Sequence, residues 1–208
     1  MLNVIVDGQP VQVKKGSTIL QACGKLGIEV PTLCYLKHLT PEGACRICAV
    51  EVKGVKNLQF SCAALCSEGM EVTTINERIA AFRRIVIELL LANHDADCFS
   101  CSAVGRCELY KLAMDYGVER SRFKRTKKAR PKDESSEFFN YDPAKCILCR
   151  RCVRTCNEIQ SNRTLSLRDR GVRTSVSLPF GKVFSDSNCV SCGNCVSACP
   201  TGALTTKA

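Results

Sequence analysis

The stretch CILCRRCVRTC, residues 146 to 156, carries four cysteines separated by two, two and three intervening residues. The stretch CVSCGNCVSACP, residues 189 to 200, repeats that spacing and ends in proline. A tetrahedral zinc site usually takes two ligands from each of two CxxC turns, whereas three cysteines crowd into each of these loops. The repeated run therefore argues against zinc and for larger metal clusters.

One tight loop can bind three iron corners of a cubane, and a distant cysteine then binds the fourth. The run C-x2-C-x2-C-x3-C-P is that of bacterial ferredoxins, in which the fourth cysteine ligates the other cluster. Pro200 follows Cys199 as the pattern expects, whereas Asn157 follows Cys156. We predict two [4Fe–4S] clusters with crossed ligands, the third cluster of the chain on Cys146, Cys149, Cys152 and Cys199 and the fourth on Cys156, Cys189, Cys192 and Cys195.

A further set of cysteines lies near the amino terminus, with the spacing C-x10-C-x2-C-x13-C. Plant-type [2Fe–2S] ferredoxins use C-x4-C-x2-C and a distant fourth cysteine, so the inner pair is kept and the first gap is longer. Zinc is the alternative, because a CxxC pair with two outlying cysteines also binds it. We predict a [2Fe–2S] cluster on Cys34, Cys45, Cys48 and Cys62.

The middle of the chain supplies only three cysteines in one group, so a fourth ligand is needed. His94 precedes Cys98 by three intervening residues, and the spacing H-x3-C-x2-C-x5-C suits a histidine-ligated [4Fe–4S] cluster. The alternatives are a structural histidine and one iron left without a protein ligand. The predicted set is His94, Cys98, Cys101 and Cys107. Cys23 and Cys66 are left over, and Cys23 is predicted to be a core residue.

Composition and compartment support metal clusters over disulfides. The chain has 208 residues, 17 cysteines and only 6% aromatic residues. Its hydrophobic cores are therefore expected to be small and to need disulfides or bound metals for stability. The start MLNVIVDGQP has no secretory signal character, and no apolar run reaches the roughly 18 residues of a membrane span. We therefore expect a cytoplasmic protein, where disulfides are rare and dense cysteines indicate metal or redox sites.

The formal net charge of +10 raises the possibility of a nucleic-acid partner. That count treats every cysteine as neutral. Four oxidised clusters with their thiolates would add about −7 and leave roughly +3. The excess of basic residues is then interpreted as a balance for internal clusters, and we expect no nucleic-acid binding.

The residue pattern predicts an α+β chain of four regions. Two alternating runs around Asp7-Gly8 indicate a hairpin, a helix capped by Ser17 or Thr18 follows, and CAVEVKGV indicates a further strand. RTLSLRDRGVRTSVSLPFG, between the two cysteine runs, is predicted to be an inserted hairpin. The predicted boundaries are 1–74 for the [2Fe–2S] domain, 75–119 for the histidine-ligated segment, 120–137 for a basic linker and 138–208 for the two-cluster domain.

A longer helix is predicted to begin near residue 75 and to end near Asn93. Thr74 and Glu77 have the spacing of a capping box. One face is expected to be buried because apolar residues recur near helical spacing. These residues are Ile75, Ile79, Phe82, Ile85, Val86, Leu89 and Leu90.

The order of these cysteine motifs resembles the N-terminal region of the large iron–sulfur subunit of respiratory complex I. It is also similar to iron-only hydrogenases, NAD-linked formate dehydrogenases and the small diaphorase subunit of NAD-reducing nickel–iron hydrogenases. The resemblance is carried by TILQACGKLGIEVPTLCYL, GACRICAVEV, HDADCFSCSAVGRCELYKLA, KCILCRRCVRTCNEIQ and CVSCGNCVSACPTGAL. It implies a β-grasp [2Fe–2S] domain, a helical segment with the histidine-ligated cluster and a two-cluster ferredoxin domain.

The resemblance also implies the function. No GxGxxG dinucleotide motif and no nucleophile–base pair stands out, so catalysis is expected to belong to other chains. We expect a non-catalytic electron-transfer subunit between a flavin/NAD(P)-binding subunit and a hydrogenase or formate dehydrogenase subunit. A free multi-cluster ferredoxin and a metal-bearing nucleic-acid protein are the alternatives.

Overall fold

A computed structural model describes residues 1–126 and 130–207. The chain divides into two compact units. The first comprises residues 1–35 and 41–87, and the second comprises residues 36–40 and 88–208. Each unit has its own buried core.

The first unit is built around a mixed five-stranded sheet and one helix. Its strands are β1 (Leu2–Val6), β2 (Gln9–Val13), β3 (Ala49–Val52), β4 (Gln59–Phe60) and β5 (Met70–Thr73). They are arranged in the order β2-β1-β5-β3-β4, with β1 parallel to β5 and the other pairs antiparallel. The predicted hairpin around Asp7-Gly8 and the predicted strand at Ala49–Val52 are both present.

Helix α1 (Ile19–Lys25) forms where the sequence places a capping residue before an apolar turn. The Thr18 hydroxyl accepts the Gln21 N–H, and the Gln21 side chain accepts the Thr18 N–H in return. This capping box satisfies two backbone donors at the helix start. Ile19 and Cys23 are fully buried in the core, as predicted for the apolar face of this helix.

Helix α2 (Glu77–Ala92) begins differently from the prediction. The capping-box prediction for Thr74 is wrong, because the Thr74 hydroxyl and N–H both donate to the Asp7 carboxylate, at 2.6 and 2.8 Å. The Asn76 side chain instead accepts the Ile79 N–H at 2.8 Å, as an N-cap does. A long-range partner has taken the hydroxyl on which the local prediction depended.

The buried face of α2 also differs from the apolar pattern. Ile79 is buried as the pattern predicts, and Ile87, which the pattern leaves out, is buried as well. The predictions for Ile75, Ile85 and Leu89 are wrong, because these residues are 70%, 41% and 48% exposed. The position between the two buried isoleucines belongs to Arg83, which is 3% exposed. An arginine whose charge is fully hydrogen-bonded can occupy a buried helical position, and a purely apolar criterion excludes it.

The second unit combines short helices with two small antiparallel sheets. Its elements are α3 (Glu108–Asp115), β6 (Phe139–Tyr141), α4 (Arg151–Arg154), β7 (Ser166–Arg168), β8 (Ser175–Ser177), α5 (Asn194–Ala198) and β9 (Leu204–Thr206), with a π-helical turn at Thr155–Ile159. Strand β6 pairs with β9, and β7 pairs with β8. The predicted inserted hairpin is the β7–β8 pair, which turns at Asp169–Gly171.

The core of the second unit contains a cluster of aromatic rings. Phe184 packs edge-on against Phe139 at 4.8 Å and against Tyr141 at 6.4 Å between ring centroids. The Tyr141 hydroxyl donates to the Val176 carbonyl at 3.2 Å, which ties β6 to the inserted hairpin. The rings therefore connect the strand pairs around the two cysteine loops.

The predicted basic linker is anchored along its described part. Arg122 pairs with Glu88 at 2.9 Å, and Arg130 pairs with Asp169 at 3.0 Å. Residues 127–129 of this linker lie outside the described residues. None of the helices in residues 1–126 and 130–207 has the length and apolar character needed to cross a membrane.

Candidate metal centres

The four cysteines predicted for the [2Fe–2S] site are all buried in the first unit. Cys34 accepts the backbone N–H of Cys45 at a sulfur distance of 3.5 Å. Side-chain hydrogen bonds join Cys34 to Cys45 and Cys62, and a further one joins Cys48 to Cys62. These pairwise contacts link the four cysteines, although residues 34 and 62 are far apart in the sequence.

These contacts lower the pKa values of two of the four thiols and raise those of the other two. Hydrogen bonds from the Cys45 and Cys62 side chains lower the pKa of Cys34 to about 2. The hydrogen bond with Cys62 lowers the pKa of Cys48 to about 7. The pKa of Cys45 rises because of its hydrogen bond with Cys34 and then because of burial. The pKa of Cys62 rises because of its hydrogen bonds with Cys34 and Cys48 and then because of burial. Sulfur atoms that share negative charge in this way suit a cation-rich centre.

The two cysteine runs of the second unit line two separate cavities. One cavity, of about 320 Å³ with its open mouth included, is lined by the set predicted for the third cluster, Cys146, Cys149, Cys152 and Cys199. The other, of about 370 Å³ on the same measure, is lined by the set predicted for the fourth cluster, Cys156, Cys189, Cys192 and Cys195. Each cavity takes three cysteines from one run and one from the other, which is the crossed arrangement that the spacing predicts.

The two loops also share a backbone conformation. Leu148 and Ser191 lie at equivalent positions, each just before the second cysteine of its run, and both have positive φ, at 56° and 52°. Arg150 and Gly193 are the next equivalent pair, at 62° and 75°, and they precede α4 and α5. A left-handed conformation is costly for leucine and arginine, and such conformations cluster at functional sites.

Burial disfavours thiolates in these cavities. Burial raises the pKa of both Cys149 and Cys195 to about 12, and it raises the pKa of Cys152 well above its ordinary value. Neighbouring cysteine charges add to the effect in each case. Bound iron would offset this cost, because metal ligation stabilises the deprotonated sulfur and releases its proton.

The set predicted for a histidine-ligated cluster lies in the segment that joins α2 to α3. His94 is in the turn after α2, where its backbone N–H donates to the Leu91 carbonyl at 3.1 Å. Cys107 caps α3, and its sulfur accepts the Tyr110 N–H at 3.4 Å. The pKa values of Cys98 and Cys107 are raised, mainly by burial and also by neighbouring cysteines that include Cys101. The three cysteines therefore lie near one another, and ligation by His94 stays a prediction.

Gly202 brings this segment against the carboxyl end of the second cysteine run. A Cβ atom at Gly202 would lie 2.6 Å from the Cys101 sulfur and 3.3 Å from the Ala103 Cβ. Only glycine leaves room for Cys101 at this position. The Cys101 sulfur consequently approaches the backbone three residues beyond Cys199, a proposed ligand of the third cluster.

Donor chemistry and cavity shape both fit iron–sulfur clusters. Soft thiolates select zinc, copper(I) and iron–sulfur centres. Within residues 1–126 and 130–207, no three His, Cys, Asp or Glu side chains gather closely enough to bind one metal ion together. A cluster of several irons spreads its ligands over its corners, so sulfur atoms arranged around a cavity fit it better than a single ion. None of the seventeen cysteines forms a disulfide, and all of them are described.

Arg83 is a site residue that the sequence analysis missed. Its guanidinium donates to the carbonyls of Ile47 and Ala49, at 3.1 and 2.9 Å, and to the Thr74 carbonyl at 3.0 Å. Ile47 and Ala49 flank Cys48, so a buried positive charge holds the loop of the first site. Its place at a buried position of α2, four residues from Ile79, is the one signal that could have revealed it.

Three family profiles match the chain in succession. The 2Fe-2S iron-sulfur cluster binding domain matches residues 1–77. The NADH-ubiquinone oxidoreductase-G iron-sulfur binding region matches residues 83–122. The 4Fe-4S dicluster domain matches residues 145–203. Each match covers the region in which the corresponding cysteine set lies.

Similar proteins extend the comparison over the whole chain. The NADH-ubiquinone oxidoreductase 75 kDa subunit of Reclinomonas americana is 40% identical over 100% of this chain and 30% of its own length. NADP-reducing hydrogenase subunit HndD of Solidesulfovibrio fructosivorans is 41% identical over 98% of this chain and 36% of its own. The alpha subunit of the NADPH-Fe(3+) oxidoreductase of Geobacter sulfurreducens is 38% identical over 100% of this chain and 24% of its own. The chain thus spans about a quarter to a third of these curated relatives.

A solved structure is similar over nearly its full length. A chain of the NAD+-reducing [NiFe]-hydrogenase in the H2-reduced state superposes with a TM-score of 0.92 at 29% identity. The match covers 100% of this chain and 88% of that one. The mixed α and β class with ferredoxin-type [2Fe–2S] and [4Fe–4S] domains is confirmed. The chain thus carries, in succession, a 2Fe-2S cluster binding domain, an iron–sulfur region of the NADH-ubiquinone oxidoreductase-G type and a 4Fe-4S dicluster domain, and it is similar over its whole length to subunits of NAD(P)-linked oxidoreductases and hydrogenases.

Proposed function

We propose that this chain is an electron-transfer subunit that carries four iron–sulfur clusters in an NAD(P)-linked oxidoreductase complex. The observation that carries the proposal is the pair of cavities, each lined by four cysteines drawn from both ferredoxin runs. When bound, the clusters accept and release single electrons. The chain's own residues supply ligands, exclude water from the buried sulfurs and set the surrounding charge and hydrogen bonds.

We assign the clusters as the spacing predicts. The first unit would hold a [2Fe–2S] cluster on Cys34, Cys45, Cys48 and Cys62, and its strand order supports a β-grasp domain. The segment between α2 and α3 would hold a [4Fe–4S] cluster on His94, Cys98, Cys101 and Cys107. Two further [4Fe–4S] clusters would occupy the two cavities, which makes three of that type in the chain.

The partners follow from the relatives. A flavin/NAD(P)-binding subunit would meet one end of the cluster series, and a catalytic subunit would meet the other. One relative and one solved structure that are named as hydrogenases favour a hydrogenase subunit, and a formate dehydrogenase subunit stays an alternative. The assembly is proposed to be cytoplasmic and to involve no nucleic acid.

Anaerobic purification followed by iron and acid-labile sulfide analysis tests the proposal. We expect about 14 irons per chain, two from the [2Fe–2S] cluster and four from each [4Fe–4S] cluster. Cys23→Ser is the matched control, because Cys23 is a buried cysteine outside all four sets and its loss should leave the iron count unchanged. A chain that purifies with zinc in place of iron and sulfide would overturn the proposal.

A further inference from the structure

An ion pair between a buried arginine and a half-exposed glutamate joins two of the proposed cluster loops. The two terminal guanidinium nitrogens of Arg151, Nη1 and Nη2, donate to the Glu108 carboxylate at 2.5 and 2.8 Å, in a bidentate arrangement. The Arg151 side chain is 4% exposed, and the Glu108 side chain is 44% exposed. A positive charge at this depth interacts with its surroundings far more strongly than it would in water.

Each partner lies beside proposed ligands of a different cluster. Arg151 stands between Cys149 and Cys152, two of the sulfurs that line the third-cluster cavity. Glu108 directly follows Cys107, which caps α3 and belongs to the set proposed for the histidine-ligated cluster, the second cluster of the chain. The Glu108 N–H also donates to the Pro200 carbonyl at 2.9 Å. The pair therefore holds the start of α3, next to Cys107, against the loop that carries Cys149 and Cys152.

The Arg151 guanidinium has capacity to interact beyond this pair. Its Nε atom is buried, and no hydrogen-bond partner for it is found among the described residues. A buried donor normally has a partner, so this one suits an acceptor that the polypeptide does not provide. Sulfur atoms of a neighbouring cluster are acceptors of that kind.

We propose that Arg151 and Glu108 form a positioning and potential-setting pair shared by the second and third clusters. Reduction adds one electron to a cluster, so the Arg151 charge favours the reduced third cluster and raises its potential. The Glu108 carboxylate opposes this effect and lowers the potentials of both clusters. The inference rests on the proposed function, since it requires clusters at both sites.

Charge-neutralising variants of the full chain, loaded anaerobically and titrated by EPR, separate these effects. Arg151→Gln is expected to lower the third-cluster potential. Glu108→Gln is expected to raise it, because a buried Arg151 is left without its counter-charge, and to raise the second-cluster potential as well. The double variant should fall between the two single variants. Arg151→Lys keeps the charge and should stay closer to the unaltered chain than Arg151→Gln.

The matched control is Asp169→Asn. Asp169 pairs with Arg130 at 3.0 Å in the same unit, but neither residue adjoins a proposed ligand. This variant should leave every cluster potential unchanged. If Arg151→Gln does not take up its clusters, Glu108→Gln and Arg151→Lys still test the inference, since only Glu108→Gln should raise the cluster potentials.

Two results would overturn the inference. One is unchanged potentials in Glu108→Gln. The other is a shift of the third cluster in the same direction in Glu108→Gln and Arg151→Gln, as a purely structural disturbance would give. A chain that holds no iron in any form contradicts the proposed function itself, whereas loaded variants with unmoved potentials contradict only the role of the pair.

Discussion

Arg83 supports the loop of a proposed metal site, although it is not one of the predicted ligands. Its guanidinium reaches three backbone carbonyls, two of which flank Cys48. Hydrogen bonds from a charged donor are among the stronger ones, and a carbonyl that loses its buried donor carries a desolvation cost. Arg83 of α2 therefore stabilises the loop that contains Cys48 through these hydrogen bonds.

Arg83→Gln is predicted to destabilise the first unit by about 2–4 kcal/mol, because the shorter neutral side chain leaves buried carbonyls unsatisfied. The [2Fe–2S] cluster should also be lost more readily on exposure to a chelator. Denaturant unfolding and the rate of iron release measure the two effects.

The control is Arg78→Gln on the same helix. Arg78 is 56% exposed and pairs with Glu51 at 2.8 Å, so its loss should cost about 0–1 kcal/mol. Equal destabilisation by the two substitutions would show that burial of Arg83 does not matter.

At the scale of elements, the two cysteine runs are a structural repeat. The left-handed pair Leu148 and Arg150 in one run corresponds to Ser191 and Gly193 in the other. A short helix follows each pair, α4 in the first run and α5 in the second. The fourth cysteine of each run lies beyond its helix and lines the cavity of the opposite run.

The crossed arrangement predicts how iron loss combines in double variants. Cys156→Ala with Cys195→Ala removes two ligands of one proposed cluster, so about four irons should be lost. Cys156→Ala with Cys152→Ala removes one ligand from each cluster, so about eight should be lost. Iron analysis of the two proteins is the measurement. Greater loss in the first pair than in the second would mean that each run ligates its own cluster.

At the scale of the whole molecule, cluster loading changes the charge. The metal-free chain has a formal charge of +10 and a sequence pI of about 8.9. Loading would bring the net charge to roughly +3, since the oxidised clusters with their thiolates add about −7. Many of the basic residues are thus explained without an external anion.

The loaded chain is predicted to focus at a lower pH than the metal-free chain. Anaerobic isoelectric focusing of both forms measures the shift, and the Cys23→Ser variant should show the same one because it keeps all proposed ligands. Identical focusing positions would indicate that the clusters add no net negative charge. That result would contradict the interpretation that the excess of basic residues offsets the negative charge of the clusters.

The sequence by itself predicts the cysteine sets, and it determined the repeated loop, the first hairpin, α1 and the inserted hairpin. These features depend on local spacing: a tight loop limits which sulfurs can share a cavity, and Thr18 and Gln21 are close enough to cap α1 themselves. The order of the cysteine motifs along the chain can likewise be read from the sequence, because each motif is a short run of closely spaced cysteines.

Only the tertiary structure decided which polar side chains serve these sites. Thr74 bonds Asp7 instead of capping α2, and Arg83 turns inward to carbonyls on another segment. Arg151 meets Glu108 across 43 positions of sequence. The physical reason is that a polar side chain takes whichever partner the fold brings within about 3 Å, and a contact between distant segments leaves no local pattern to read.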